Sequence, residues 1–70
     1  MSFAEASGTI VTFGEYEGLT IDQIAQSDRG LLWLDRIAEK IRTPRLAEAI
    51  RTYLHDPSIA RDLDSLTHRR

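Results

Sequence analysis

The sequence predicts an α+β fold in which a short N-terminal β-hairpin is followed by about four short helices packed on it. Three observations lead to this prediction. Residues 9–13 are β-branched or aromatic, the composition that suits a strand. Residues 14–18 begin and end with glycine, which permits the positive φ angles of a tight turn. From residue 20 onward, apolar residues recur at steps of three and four, the period of amphipathic helices.

The chain has 70 residues, enough for one domain near the lower size limit for independent folding. We expect residues 1–8 to form a flexible arm or a short pairing strand. Residues 9–66 are predicted to form the domain, and residues 67–70 a frayed tail. A chain of this size buries a small core, so homodimerisation through a helix face is one way in which it would gain stability.

Helix start signals divide the second part of the chain. Thr20 and Gln23 fit a capping box, in which each side chain bonds the backbone N–H of the other. Asp28 is the predicted cap of the next helix, and Pro44 and Pro57 occupy first-turn positions of the last two. The apolar stripes of these helices comprise Ile21, Ile24, Ala25, Leu31, Leu34, Ile37, Ala38, Ile41, Leu46, Ala47, Ile50, Tyr53, Leu54, Ile59, Ala60, Leu63 and Leu66.

Composition excludes several classes of protein. The sequence has no cysteine, so it contains neither disulfides nor thiolate metal sites. No apolar run approaches the roughly 18 residues that a membrane helix needs, and the first residues lack the features of a signal peptide. We therefore expect a cytoplasmic protein without a membrane partner.

The sequence offers no constellation for catalysis. His55 stands at a predicted helix end, where a cation interacts favourably with the helix dipole, and His68 lies in the tail. Glu15 and Glu17 are on a turn without a matching set of carboxylates downstream, so a two-metal site is not indicated. No Gly-Lys-Ser/Thr sequence follows the glycines, as a phosphate-binding loop requires. We predict a protein that is not an enzyme and that has no cofactor or metal.

The distribution of charge indicates two candidate binding surfaces. The net charge is −2, but residues 1–28 contain five acidic residues and no Lys or Arg, whereas residues 29–54 contain six basic and three acidic residues. The acidic part includes the turn with Glu15, Tyr16 and Glu17. The basic part would present a stripe to phosphates. The members of this stripe are Arg36, Lys40, Arg42, Arg45 and Arg51, with Asp35, Glu39 and Glu48 interleaved.

Residues 13–21 read Phe-Gly-Glu-Tyr-Glu-Gly-Leu-Thr-Ile, residues 28–34 read Asp-Arg-Gly-Leu-Leu-Trp-Leu, and residues 44–46 read Pro-Arg-Leu. This combination resembles the exodeoxyribonuclease X-like C-terminal domains. It is also similar to related small phage and bacterial proteins, some of them described as quorum-sensing-regulated virulence factors. The resemblance covers about residues 10–55. It implies an accessory module of DNA-processing enzymes that contacts DNA and carries no nuclease centre.

The chain departs from the family in the turn itself. Where the family has lysines on both sides of the aromatic residue, this chain has Glu15 and Glu17, and Leu19 replaces a third lysine. Glutamates repel a phosphate backbone, whereas lysines attract it. The resemblance therefore supports the fold more strongly than it supports DNA binding through this turn.

Two functional hypotheses follow. The favoured one is a phage-type or bacterial modulator that docks on the basic surface of a protein partner through Glu15, Tyr16, Glu17 and a helical face. The alternative is an accessory nucleic-acid-binding module that uses the basic stripe within residues 36–51. Tyr16 either folds back on the helices or is presented to a ligand. Trp33 is predicted to pack in the core or at its rim.

Overall fold

A computed structural model describes residues 1–67 of the protein, and these residues are mostly helical. The β-type backbone pairing within these residues is a single antiparallel bridge between Ile10 and Thr20. Helices α1 and α2 are short, and the three that follow have 11 residues each. The five helices are α1 (Phe3–Ser7), α2 (Ile21–Ile24), α3 (Asp28–Ala38), α4 (Pro44–Leu54) and α5 (Pro57–Thr67).

The predicted N-terminal β-hairpin, and with it the α+β class, is wrong. At the bridge, the Val11 N–H donates to the Leu19 carbonyl (2.9 Å) and the Ile21 N–H donates to the Thr9 carbonyl (2.9 Å). The pairing cannot extend towards the helices because Thr20 is already the N-cap of α2. The described residues therefore contain no β-sheet.

Two overlapping turns, over residues 14–17 and 16–19, end the pairing on the side of the bridge away from α2. The Glu17 N–H donates to the Gly14 carbonyl and the Leu19 N–H donates to the Tyr16 carbonyl, both at 3.2 Å. Backbone groups bonded within turns are not free to form a ladder with a second strand. The β-branched composition of residues 9–13 thus belongs to an extended segment that buries Val11 alone, not to a hairpin strand.

Residues 1–8, expected to be an arm or a strand, contain helix α1. The Ser2 side chain caps this helix by accepting a hydrogen bond from the Glu5 N–H at 3.2 Å. Ala6 is fully buried, and the Phe3 ring stacks on Tyr53 at a centroid distance of 5.0 Å. These contacts hold α1 against α4. Of the predicted tail, residues 68–70 lie outside the described part of the chain.

Three of the predicted helix starts are confirmed. Thr20 and Gln23 form the full capping box, with the Thr20 N–H donating to the Gln23 Oε1 at 2.9 Å and the Gln23 N–H donating to the Thr20 Oγ1 at 3.1 Å. Pro44 and Pro57 are the first residues of α4 and α5. Each of these three signals depends on groups within one turn of helix, which is why the sequence alone indicates them.

The core lies between α1, α2, α3 and α4, with α5 at its margin. No described residue of α5 is fully buried, and its apolar residues Ile59, Leu63 and Leu66 are half-buried against the core. Each aliphatic side chain that is removed from water contributes about 1.5–3 kcal/mol before conformational entropy is subtracted. The buried cluster comprises Ala6, Val11, Ile21, Ile24, Leu31, Leu34, Ala38, Leu46, Ala49, Ile50, Tyr53 and Leu54.

Tyr53 connects three helices. Its ring is 2% exposed and stacks on Phe3 of α1, while its hydroxyl donates a hydrogen bond to the Asp22 Oδ1 of α2 at 3.0 Å. Burial raises the pKa of the Tyr53 phenol well above its usual range, and the hydrogen bond and negative charge of Asp22 raise it further. A buried phenol with a carboxylate partner satisfies its polar atom and stays neutral.

Gly30 permits the close approach of α3 to the end of α2. A Cβ at this position would overlap the Ile24 carbonyl oxygen and would lie 2.9 Å from the Ser27 Oγ. That Ser27 hydroxyl caps α3 by accepting the Gly30 N–H at 3.0 Å. The prediction of Asp28 as the cap is therefore wrong, because the helix begins one residue earlier than expected and Asp28 lies in its first turn.

We expect Gly30→Ala to destabilise the fold, although alanine is usually favoured over glycine within a helix. The added methyl group must displace α3 from Ile24, and overpacking of this kind lowers the free energy of unfolding by about 1–3 kcal/mol. Gly8→Ala is the matched control, because its Cβ would approach no atom closer than 3.6 Å. Urea denaturation should show Gly8→Ala near the wild type. Equal stability of the wild type and Gly30→Ala would contradict the close approach.

The raised pKa of Tyr53 predicts a loss of stability at alkaline pH. Above about pH 10 the unfolded phenol releases its proton while the folded one retains it, so the free energy of unfolding falls as pH rises. Tyr53→Phe should remove this part of the pH dependence and should cost about 0.5–1.5 kcal/mol at neutral pH. The slope is measured by urea denaturation at several alkaline pH values. An unchanged slope in Tyr53→Phe would exclude Tyr53 as its origin.

Candidate functional site

The turn of residues 14–18 is held by its two glycines. Gly14 has a φ of 77° and Gly18 a φ of 91°, values that residues with a side chain rarely adopt. The Gly18 N–H donates to the carbonyl of Val11 at 2.8 Å, and Val11 is fully buried. One end of the turn is thereby fixed to the core.

The other anchor of the turn is Trp33, on α3. The Tyr16 ring lies 4.8 Å from the Trp33 ring at 59°, and the Phe13 ring lies 5.9 Å from it at 38°. A Cβ on Gly14 would be 3.0 Å from the Trp33 Cζ2, so the backbone of the turn itself meets the indole. Tyr16 is half-buried, which decides between the two predicted roles: it packs on a helix. Trp33 packs at the rim of the core, as predicted.

An exposed apolar patch surrounds this contact. The Phe13 and Leu32 side chains are 37% and 36% exposed, and Trp33 between them is half-buried. We define the turn surface as residues 13–17 together with the face of α3 that carries Arg29, Leu32, Trp33 and Arg36. Clustered exposed aromatic and aliphatic side chains are characteristic of binding surfaces.

A cleft of about 190 Å³ opens between the turn and α3. Its α3 wall has residues at positions i, i+3, i+4 and i+7, which share one helix face. Arg29 crosses towards the turn, with its Nη2 3.7 Å from the Glu15 Oε2. The two side chains are 83% and 54% exposed, so this ion pair contributes at most about 1 kcal/mol. The cleft lining comprises Glu15, Arg29, Leu32, Trp33 and Arg36.

The two glutamates of the turn differ in their surroundings. Glu15 borders the cleft and faces Arg29, whereas Glu17 is exposed and does not line the cleft. Glu15 is therefore placed against the α3 face, and Tyr16 packs on Trp33 beside it. Glu17 shares the turn with them as an exposed residue.

The predicted basic stripe is divided between regions of the surface. Arg36 lines the turn cleft, whereas Arg51 lines a second cleft with Asp35 and Glu39. The Arg51 Nη2 also donates to the Ala38 carbonyl at the end of α3 (3.5 Å), which gives this arginine a structural contact. The remaining three cations, all exposed around the connection between α3 and α4, are Lys40, Arg42 and Arg45.

Metal-ligand clusters, the histidines and membrane spans were the other features considered in the sequence. Residues 1–67 contain no group of three or more His, Asp or Glu placed to hold a metal ion. His55 is the exposed C-cap of α4, in the position expected for a cation at a helix end, and His68 lies outside the described residues. No helix within residues 1–67 is long and apolar enough to cross a bilayer.

Sequence reasoning missed Phe13, Arg29 and Leu32 as members of this surface. Phe13 was predicted to belong to a hairpin strand, and the predicted apolar stripe of α3 contained only residues on its inward side. The spacing of Arg29, Leu32, Trp33 and Arg36 was available in the sequence as one helix face. Its proximity to the turn depends on tertiary packing.

Comparison of the chain with protein-family models, with curated proteins and with solved structures finds no match. The resemblance to the exodeoxyribonuclease X-like C-terminal domains therefore stays a prediction from the turn and the Trp-Leu helix.

Alanine substitutions at the two turn glycines should have different effects on Trp33, the one tryptophan of the sequence. Both force a positive φ on a residue with a side chain, at a cost of about 1–2 kcal/mol each. Gly14→Ala also pushes on the indole, whereas a Cβ on Gly18 meets no atom within 4 Å. We expect native-state tryptophan emission to shift in Gly14→Ala and to match the wild type in Gly18→Ala. Identical emission from all three proteins would contradict the contact of Gly14 with Trp33.

Proposed function

We propose that the protein is a small non-catalytic module that docks on the basic surface of a protein partner through the turn surface. The observation that supports this most strongly is the partly exposed cluster of Phe13, Tyr16 and Trp33 with Glu15 and Glu17 at its edge. Aromatic side chains are enriched among the residues that contribute most to protein–protein binding, and charges at the rim exclude wrong partners.

The architecture of the turn favours tight docking because its aromatic side chains are already ordered. Trp33 holds Tyr16 and Phe13 in contact, and the positive φ angles of Gly14 and Gly18 define the backbone. Side chains that are fixed before binding lose less conformational entropy on association, about 0.5–1.5 kcal/mol less for each side chain that would otherwise be immobilised.

The acidic residues define the class of partner. Glu17 is exposed and Glu15 is engaged only in an exposed, long ion pair, so both carboxylates are accessible to a partner's Lys or Arg. Long-range attraction between opposite charges also accelerates association. The resemblance to phage and bacterial modules makes a modulator of a cellular protein the proposed role. The absence of cysteine is consistent with a cytoplasmic setting.

Nucleic-acid binding is the second candidate, and one observation favours it. Lys40, Arg42 and Arg45 are exposed close together around the connection between α3 and α4, where a phosphate backbone could lie. Two features weigh against it as the principal function. Glu15 and Glu17 repel phosphates at the aromatic surface, and Arg51 lies in a different cleft from Arg36.

Reversal of the turn charges should abolish partner capture. Immobilised wild-type protein is expected to retain a partner from a lysate of its source cells, and Glu15→Lys with Glu17→Lys should lose it. The matched control is Asp35→Lys with Glu39→Lys, which makes the same charge change in the cleft that Arg51 lines. This control should retain the partner, and retention would be measured by quantitative mass spectrometry.

Two results would contradict the docking proposal. If the turn variant still retains the partner, Glu15 and Glu17 are not part of the interface. If the control variant loses the partner to the same extent, the loss is explained by the change in net charge and not by the turn. Fluorescence anisotropy with single-stranded DNA tests the second candidate. Affinity that falls steeply with salt and is lost in Arg42→Glu with Arg45→Glu would establish nucleic-acid binding through the α3–α4 connection.

A further inference from the structure

Charged residues of opposite sign lie at the two ends of the α3 side of the turn surface. At one end Arg29 lies 3.7 Å from Glu15, which places the acidic turn beside the start of the helix. Arg36 lies seven residues further along the same face, roughly 10 Å away at the rise of an α-helix. Leu32 and Trp33 occupy the interval between the two ends.

The two ends of this face carry opposite net charge. At the turn end, the carboxylates of Glu15 and Glu17 outnumber the guanidinium of Arg29 by one negative charge. At the other end, Arg36 contributes one positive charge. Within the described part of the chain, neither Glu17 nor Arg36 takes part in an ion pair. The surface therefore has an acidic end, an apolar middle and a basic end.

A surface of this kind is complementary to itself when two copies meet in antiparallel orientation. A two-fold axis near Leu32 and Trp33 would place the acidic end of each copy opposite Arg36 of the other, and would do so twice by symmetry. From this arrangement we infer that the turn surface binds a second copy of this chain in an antiparallel, two-fold dimer.

A second copy is complementary to both ends of the surface, because it places Arg36 opposite the acidic end and the acidic end opposite Arg36. A partner whose basic surface covers only the turn end contacts Glu15 and Glu17 and leaves Arg36 without an opposite charge. Phe13 and Leu32, each more than a third exposed, would be covered in both copies at once. A 70-residue chain without disulfides benefits from this additional burial.

The dimer would use the side chains proposed to contact a protein partner, so the two complexes would be mutually exclusive. At high protein concentration, self-association would therefore compete with binding of the protein partner. The inference depends only on the geometry and charges of the turn surface, and it stands or falls independently of partner docking.

Sedimentation velocity over a concentration range from low micromolar to millimolar tests the dimer. The wild type should pass from monomer to dimer within that range. Glu15→Arg makes the turn end positive and Arg36→Glu makes the other end negative, so each variant alone opposes like charges across the axis. Each should weaken dimerisation about tenfold or more, because apposed like charges are strongly unfavourable at an interface.

A mixture of the Glu15→Arg and Arg36→Glu variants tests the antiparallel arrangement most directly. In a mixed dimer both end contacts again join opposite charges, so the equimolar mixture should recover dimerisation. Glu39→Arg and Arg45→Glu change single charges outside the turn surface and should leave the wild-type dimer intact. Thermal unfolding followed by circular dichroism would verify that every variant is folded.

Three results would overturn the inference. The first is a wild type that stays monomeric over the whole range, which would leave the partner-docking proposal untouched. The second is a dimer that is unaffected by either Glu15→Arg or Arg36→Glu. The third is a mixture of these two variants that does not recover dimerisation, because an antiparallel two-fold pairing requires it.

Discussion

The packing of the Trp33 indole against the turn is the contact on which the surface of this protein depends. Gly14 brings the backbone of the turn to the edge of the indole, and Tyr16 and Phe13 place their rings beside it. Without this contact, the turn would keep its hydrogen bond to Val11, but the Tyr16 and Phe13 rings would lose the indole against which they pack. With it, the turn and α3 present one ordered surface in which an apolar cluster is bordered by charges of both signs.

The remainder of the fold supplies the frame that orients α3. Tyr53 joins α1, α2 and α4 through its stacking on Phe3 and its hydrogen bond to Asp22, and the absence of a side chain at Gly30 brings α3 against the end of α2. These contacts are specific in shape and leave little tolerance for added volume. The Trp33 face of α3 is therefore positioned by the core behind it, so changes to that core would also alter the turn surface.

The sequence predicted the features that operate within a few residues more successfully than those that require packing. The capping box of Thr20 and the proline starts of α4 and α5 were correct because their hydrogen bonds and φ restrictions are local. The hairpin was wrong because the bridge of Ile10 with Thr20 ends at the N-cap of α2 on one side and at hydrogen-bonded turns on the other. For the site, Glu15, Tyr16 and Glu17 were identified by their turn, whereas Phe13, Arg29 and Leu32 joined it only through the docking of the turn on α3.

The nuclear Overhauser spectrum of the turn tests directly whether Trp33 holds the turn. We expect contacts from the Gly14 α-protons to the Hζ2 and Hη2 protons of Trp33, and from the Tyr16 ring to the same indole. Core contacts such as those between the Phe3 and Tyr53 rings serve as the internal reference. Observation of both turn contacts would establish the docked turn. Their absence in a protein that retains the reference contacts would show that the turn is not held by Trp33.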